Sequence, residues 1–94
     1  MSDIKVMQMP SFKRAYKRLH PNQKEKVDEA VGVIVENPNI GQEKKGDLAG
    51  VFVHKFLIHQ QEYLLAYERD SKSRLLLALG VHQKFYRDLK KLPA

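Results

Sequence analysis

The sequence predicts an α+β domain in which a helical hairpin packs on one face of an antiparallel sheet, in the order β-α-α-β-β-β. Three observations predict it. Apolar residues recur at helical spacing from Phe12 to Ile34, with one break at His20-Pro21-Asn22. Beyond Gly50 the period changes to alternating, β-branched and aromatic residues. That second half is cut at Gln60-Gln61 and at Asp70-Ser71-Lys72-Ser73 into three short runs, the pattern of a meander.

Each element follows from local chemistry. Ile4, Val6 and Gln8 alternate with more weakly apolar neighbours, so residues 3–8 read as a short strand. Pro10-Ser11 stops it and offers Ser11 as an N-cap. Phe12, Ala15, Tyr16 and Leu19 then form one apolar stripe at i, i+3, i+4 and i+7, with Lys13, Arg14, Lys17 and Arg18 around it. Pro21 disfavours helical geometry in the residue before it and so separates this helix from the next. Val27, Ala30, Val31 and Ile34 repeat the spacing through residue 36, where Asn37-Pro38-Asn39 closes the helix. A three-residue connection makes the pair an antiparallel hairpin.

Pro38, Gly41, Gly46 and Gly50 mark residues 38–50 as loop. Val51 to His59, Tyr63 to Glu68 and Leu75 to Gly80 read as the three strands. After Gly80-Val81-His82, the spacing of Phe85, Leu89 and Leu92 suits a short terminal helix with Lys84, Arg87, Lys90 and Lys91 exposed. With the hairpin on one face, the other face of the sheet is expected to be shallow and solvated.

Ninety-four residues support one core and hence one domain, residues 1–94. Seventeen Lys and Arg against eleven Asp and Glu leave a net charge of +6, which points to an acidic partner such as nucleic acid or an acidic protein. Solubility alone is the plainer reading of that charge. The absence of cysteine removes disulfides, thiol nucleophiles and zinc–thiolate sites together. No apolar run approaches the ~18–20 residues of a membrane span, and the opening MSDIKVMQMP lacks the apolar core of a signal peptide. A cytoplasmic protein without membrane contact is expected.

Four histidines are the natural candidates for proton chemistry. None stands four residues from another on a predicted helix, so neither a metal nor another cofactor is expected. His20 reads as a turn residue touching solvent. His54 and His59 flank or lie on one strand five residues apart and so face opposite sides of the sheet. His82 leaves the last strand just after Gly80, and Tyr86 follows four residues on. Such a pair can transfer a proton and stack a base, although taken alone it reads more simply as structural. Cations fall in three groups: the hairpin, where a solvated outer face is the plain reading; Lys44, Lys45 and Lys55; and the terminal Arg87, Lys90 and Lys91. The last two groups could hold phosphates. GxGxxG, P-loop, GxSxG and HExxH signatures are absent, and Ser11, Ser71 and Ser73 have no local base. A metal-free attack by an RNA 2′-OH needs only a base, an acid and cations at the phosphate.

The ordered set of segments resembles one family. FKRAYKRLHPNQKEKVDEAVGVIVENPNIGQEKKGDLAG is a basic hairpin ending in Asn-Pro and followed by G-D-L-x-G. VHKF, EYLLAYERD and LLLALGVHQKFYRDLKK follow it as a meander with a terminal H-x-x-x-Y. Together they are similar to the RelE/ParE superfamily of toxins from type II toxin–antitoxin systems. The resemblance implies a microbial-ribonuclease-like fold and a cognate antitoxin that wraps the toxin. It also implies one of two activities: cleavage of mRNA in the ribosomal A site, or inhibition of DNA gyrase without nuclease chemistry. On the first reading His82 serves as general acid or base, Lys55 with Lys44 or Lys45 holds the scissile phosphate, and Tyr86 stacks on or orients the substrate. One position departs from the nuclease pattern. Leu64 stands three residues before Tyr67, where those members often carry arginine, and loss of that cation is worth ~2–4 kcal/mol in analogous sites. A third reading is a regulatory partner that only binds antitoxin.

Overall fold

A computed structural model describes residues 3–81. Strand β1 (Lys5–Gln8) leads into helix α1 (Pro10–Lys17) and helix α2 (Pro21–Glu36). A two-residue strand β2 (Gln42–Glu43) and a single 3-10 turn (Gly46–Leu48) precede strands β3 (Phe52–Ile58), β4 (Gln61–Arg69) and β5 (Ser73–Gly80). The predicted hairpin and meander are present, so the α+β class holds. The expected terminal helix lies outside the described residues.

Both helices start on proline at the first helical position, where a missing N–H costs nothing. Met9, not Ser11, is the N-cap of α1, because Pro10 already has the helical φ and draws Ser11 inside the first turn. His20 caps α2, and its backbone N–H donates to Gln23 Oε1 at 2.8 Å. Phe12 from α1 and Val27 and Ile34 from α2 bury their side chains against Phe52, Ile58, Leu65, Tyr67, Leu76 and Leu79 of the sheet. Burial of this apolar surface is what holds the hairpin on the sheet.

Further expectations are corrected. The sheet is mixed, with five strands in the order β1-β5-β4-β3-β2. β1 runs parallel to β5, pairing Lys5 with Ser73 and Gln8 with Leu76, while β2–β3, β3–β4 and β4–β5 are antiparallel. Local periodicity specifies strands but not which distant strand will lie beside β1. The segment 38–50 also contains β2, paired through Gln42 with Val53 and Glu43 with Phe52.

The second face of the sheet is not solvated. Val51, Val53, Leu64, Ala66, Leu77 and Ala78 form an apolar cluster there, none more than 7% exposed, with Met9, Leu48 and Leu75 packed against it. A run such as Leu75-Leu76-Leu77-Ala78-Leu79 alternates apolar side chains onto both faces, as strands buried on two sides do.

The β3–β4 turn lies one residue earlier than its polar residues suggest. His59 (φ 49°) and Gln60 (φ 73°) both adopt left-handed backbone, and Ile58 pairs with Gln61. Two-residue turns of this kind favour glycine at the second position. Gln60→Gly should therefore stabilise the fold by about 1 kcal/mol, read as a higher urea midpoint at unchanged slope.

Candidate functional site

The second sheet face and its rim are where the predicted phosphate contacts fall. Lys55 sits mid-strand in β3, exposed, opposite Leu64 of β4, which in turn pairs with Gly80 of β5. These three residues form one row across the sheet. The next row, Val53, Ala66 and Ala78, is wholly apolar and buried. Leu64 is completely buried. Lys55 therefore presents its ammonium to solvent at the margin of a buried apolar row.

Lys44 and Lys45 enter from the opposite end of β3. Lys44 donates its backbone N–H to Val51 O at 2.8 Å, while Lys45 is exposed. Val51 and Lys55 are four strand residues apart, about 13 Å of backbone. The fold thus places the lysine pair and Lys55 at two ends of one strip and does not bring them to a single point. His82, Tyr86, Arg87, Lys90 and Lys91 lie outside the described residues.

No described histidine reaches this face. His54 is half-buried on the helix side and stacks on Phe56 with ring centroids 5.8 Å apart. His59 is not on a strand at all. Its Nε2 lies 3.2 Å from Asn22 Nδ2, tying the β3–β4 turn to the start of α2. Burial lowers the His54 pKa below the ordinary 6.5. An imidazole harder to protonate when folded adds stability that is complete above the unfolded value. That stability declines as pH falls through 6.5 toward the lower folded value. His54→Gln should flatten the loss of urea resistance between pH 8 and pH 5, a range set around the histidine reference.

Sequence reasoning used Tyr67 only as a landmark of resemblance, but it fixes the geometry of the loop. Its buried hydroxyl donates to Pro38 O at 2.7 Å and accepts the Gly41 N–H at 3.0 Å. A Cβ at Gly41 would sit 2.8 Å from that hydroxyl, so glycine permits the approach. Burial, the largest influence, raises the Tyr67 pKa and keeps the hydroxyl a neutral donor. The loop is thereby held at the point from which β2 and the lysine pair start. Tyr67→Phe should cost about 1–2 kcal/mol and speed amide exchange at Gly41 before that of the central strands. The legible signal was a glycine three residues after Pro38.

Arg74 was also missed. It is 3% exposed, and its guanidinium donates to four backbone carbonyls: Ile34 and Val35 at the end of α2, and Asp70 and Ser73 of the β4–β5 turn. Its charge also meets the negative end of the α2 dipole. Arg69 lies over the Phe52 ring, 4.8 Å from its centroid.

Among the described residues no group of three His, Cys, Asp or Glu is arranged to hold a metal ion, and no helix is long and apolar enough to cross a membrane.

Comparisons with solved structures show the same fold. The chain superposes on the RelBE2 toxin–antitoxin complex of Mycobacterium tuberculosis with a TM-score of 0.71 at 23% identity, covering 85% of this chain and 99% of that one. A mutant of the E. coli toxin RelE in the free state gives 0.72 at 17% identity over 97% of each chain. The YoeB dimer from Staphylococcus aureus gives 0.67 at 19% identity, over 86% of this chain and 99% of that one. At these identities the likeness is one of fold. No curated protein matches the chain in sequence. A family model described as ParE-like toxin of type II bacterial toxin-antitoxin system matches residues 6–90. With nearly its whole length matched, the chain belongs to the ParE-like toxins of type II bacterial toxin–antitoxin systems.

Proposed function

We propose that this toxin arrests growth by cleaving mRNA on the ribosome, in the cytoplasm, and that a cognate antitoxin neutralises it. The observation that carries the reading is the row Lys55, Leu64, Gly80. An exposed cation lies two strands, about 10 Å, from the glycine that ends β5, and His82 follows that glycine by two residues in the sequence. The proposed chemistry is transfer of the scissile phosphate from the 5′-oxygen to the neighbouring 2′-OH. The 2′-O–P bond forms, the P–O5′ bond breaks, one proton leaves the 2′-OH and one reaches the departing 5′-oxygen. His82 supplies one of those proton transfers, Lys55 offsets charge at the phosphate, and Tyr86 stacks on the adjacent base. Lys44, Lys45, Arg87, Lys90 and Lys91 hold neighbouring stretches of the RNA backbone.

A second reading is inhibition of DNA gyrase. Leu64 in the middle of the row favours it, since the position offers no cation to a pentacoordinate phosphate. Expression without antitoxin, followed by mapping of mRNA ends and gel analysis of plasmid topology, separates the two. Cleaved, translated messages with normal supercoiling support the nuclease. Intact messages with relaxed plasmid support gyrase as the target.

The net charge of +6 suits an antitoxin with an acidic segment that folds on binding.

A further inference from the structure

Lys44 and Lys45 stand between two unlike anchors. Downstream, Gly46 follows at φ 69°, left-handed backbone that glycine adopts without strain, and it opens the 3-10 turn. Upstream, β2 is two residues long, and its register on β3 rests on Gln42 opposite Val53 and Glu43 opposite Phe52. So few ladder bonds do not offset the entropy of ordering a loop. A contact outside the ladder has to fix where β2 starts.

Tyr67 supplies that contact. It pairs with Phe52 across the β3–β4 ladder, and the two rings stack with centroids 5.6 Å apart. The same Phe52 pairs with Glu43, the residue before Lys44. Past Phe52, the Tyr67 hydroxyl ties down the chain ahead of β2, at Pro38 O and at the Gly41 N–H. A Cβ on Gly41 would also lie 3.1 Å from the carbonyl carbon of Val53, so Gly41 is held between the hydroxyl and the strand that β2 joins. The register follows from this. With Gln42 opposite Val53, the Lys44 N–H reaches Val51 O, and period-two alternation sets Lys44 on the sheet face that carries Val53 and Lys55. A slip of one residue would turn Lys44 to the helix face.

We infer that the Tyr67 hydroxyl is a positioning group for RNA binding: it holds β2 in the register that sets Lys44 on the same face as Lys55. The hydroxyl is buried and both donates and accepts within the chain, so it touches no substrate. It acts through the segment it holds. The lysine strip then has a fixed length, and the backbone of a single strand is gripped at two points of the same face instead of one.

The inference rests on Lys44 and Lys45 being phosphate contacts, and its test keeps the two apart. Binding of a single-stranded RNA oligonucleotide is titrated at several salt concentrations for the wild-type chain, Tyr67→Phe, Gly41→Ala, the double variant Lys44→Ala/Lys45→Ala, and Ile34→Val. The last loosens the core under α2 without touching the loop. Removal of both lysines should lower the slope of log affinity against log salt by about 1.4, at about 0.7 per phosphate contact. Tyr67→Phe keeps both lysines, yet should lower the slope by about 0.7 and weaken binding about 10-fold. Gly41→Ala, which crowds the same contact from the other side, should do likewise. Ile34→Val should keep the wild-type slope. A wild-type slope in Tyr67→Phe beside a lowered slope in the double variant overturns the positioning role and leaves the phosphate contacts standing. An equal drop in Ile34→Val also overturns it, because the effect would then follow stability alone. A wild-type slope in the double variant, or no binding by the wild-type chain, overturns the phosphate contacts and the positioning role with them.

Discussion

Arg74→Met is expected to lower the unfolding free energy by about 3–5 kcal/mol, a large share of the stability of so small a domain. The arginine is a buried cation whose partners are all carbonyls. Two of them, on Ile34 and Val35, belong to the last turn of α2, which carries no basic residue of its own. Helices end with carbonyls lacking intrahelical partners, and here a strand residue supplies donors that the helix lacks. The other two carbonyls belong to the β4–β5 turn. One guanidinium therefore joins the helix layer to the sheet layer, and methionine would leave four acceptors without it. Arg74→Lys should recover only part of the loss, because an ammonium is a point donor and cannot span carbonyls from two elements. Urea unfolding of the two variants beside wild type measures both values. A loss below about 1 kcal/mol for Arg74→Met would show that water replaces the guanidinium without penalty.

His82→Ala should reduce mRNA cleavage by about 10²–10⁴-fold, the usual contribution of a positioned general acid or base, and should abolish growth arrest. Lys55→Ala is the informative companion. If Lys55 holds a phosphate, its removal weakens RNA binding and flattens the salt dependence, whereas His82→Ala leaves both unchanged. The assay is cleavage of a ribosome-bound message at several salt concentrations, with thermal unfolding of each variant as the control. Full toxicity of a folded His82→Ala variant would exclude imidazole chemistry and leave gyrase inhibition as the better reading.

The helices were legible because Phe12, Ala15 and Tyr16, then Val27, Ala30 and Ile34, repeat at a period no strand can use. The meander was legible because its strands are close neighbours in the chain. The β1–β5 pair was not, since sixty-odd residues separate the two strands and no side chain of either names the other. The apolar second face was legible in principle. Leu64, Leu65 and Ala66, and the run from Leu75 to Leu79, lack the polar alternation of a strand with one wet face. The turn at His59 and Gln60 was displaced because polarity marks a turn, whereas left-handed backbone decides which residues occupy its corners. Lys55 could be placed from sequence, but its separation from Lys44 and Lys45 required the register of β2 on β3. The roles of Tyr67 and Arg74 depend on carbonyls contributed by remote segments, which no local pattern encodes.

The position of β5 between β1 and β4 has a bearing on how the chain is born. During synthesis the first strand leaves the ribosome with no ladder to join, and the hairpin that follows it has a C-terminal end still awaiting its cation. Neither deficit is relieved until translation has passed Gly80. Assembly is therefore a late event, since a nascent chain interrupted ahead of Ser73 lacks both the strand beside which β1 lies and the guanidinium that meets the end of α2.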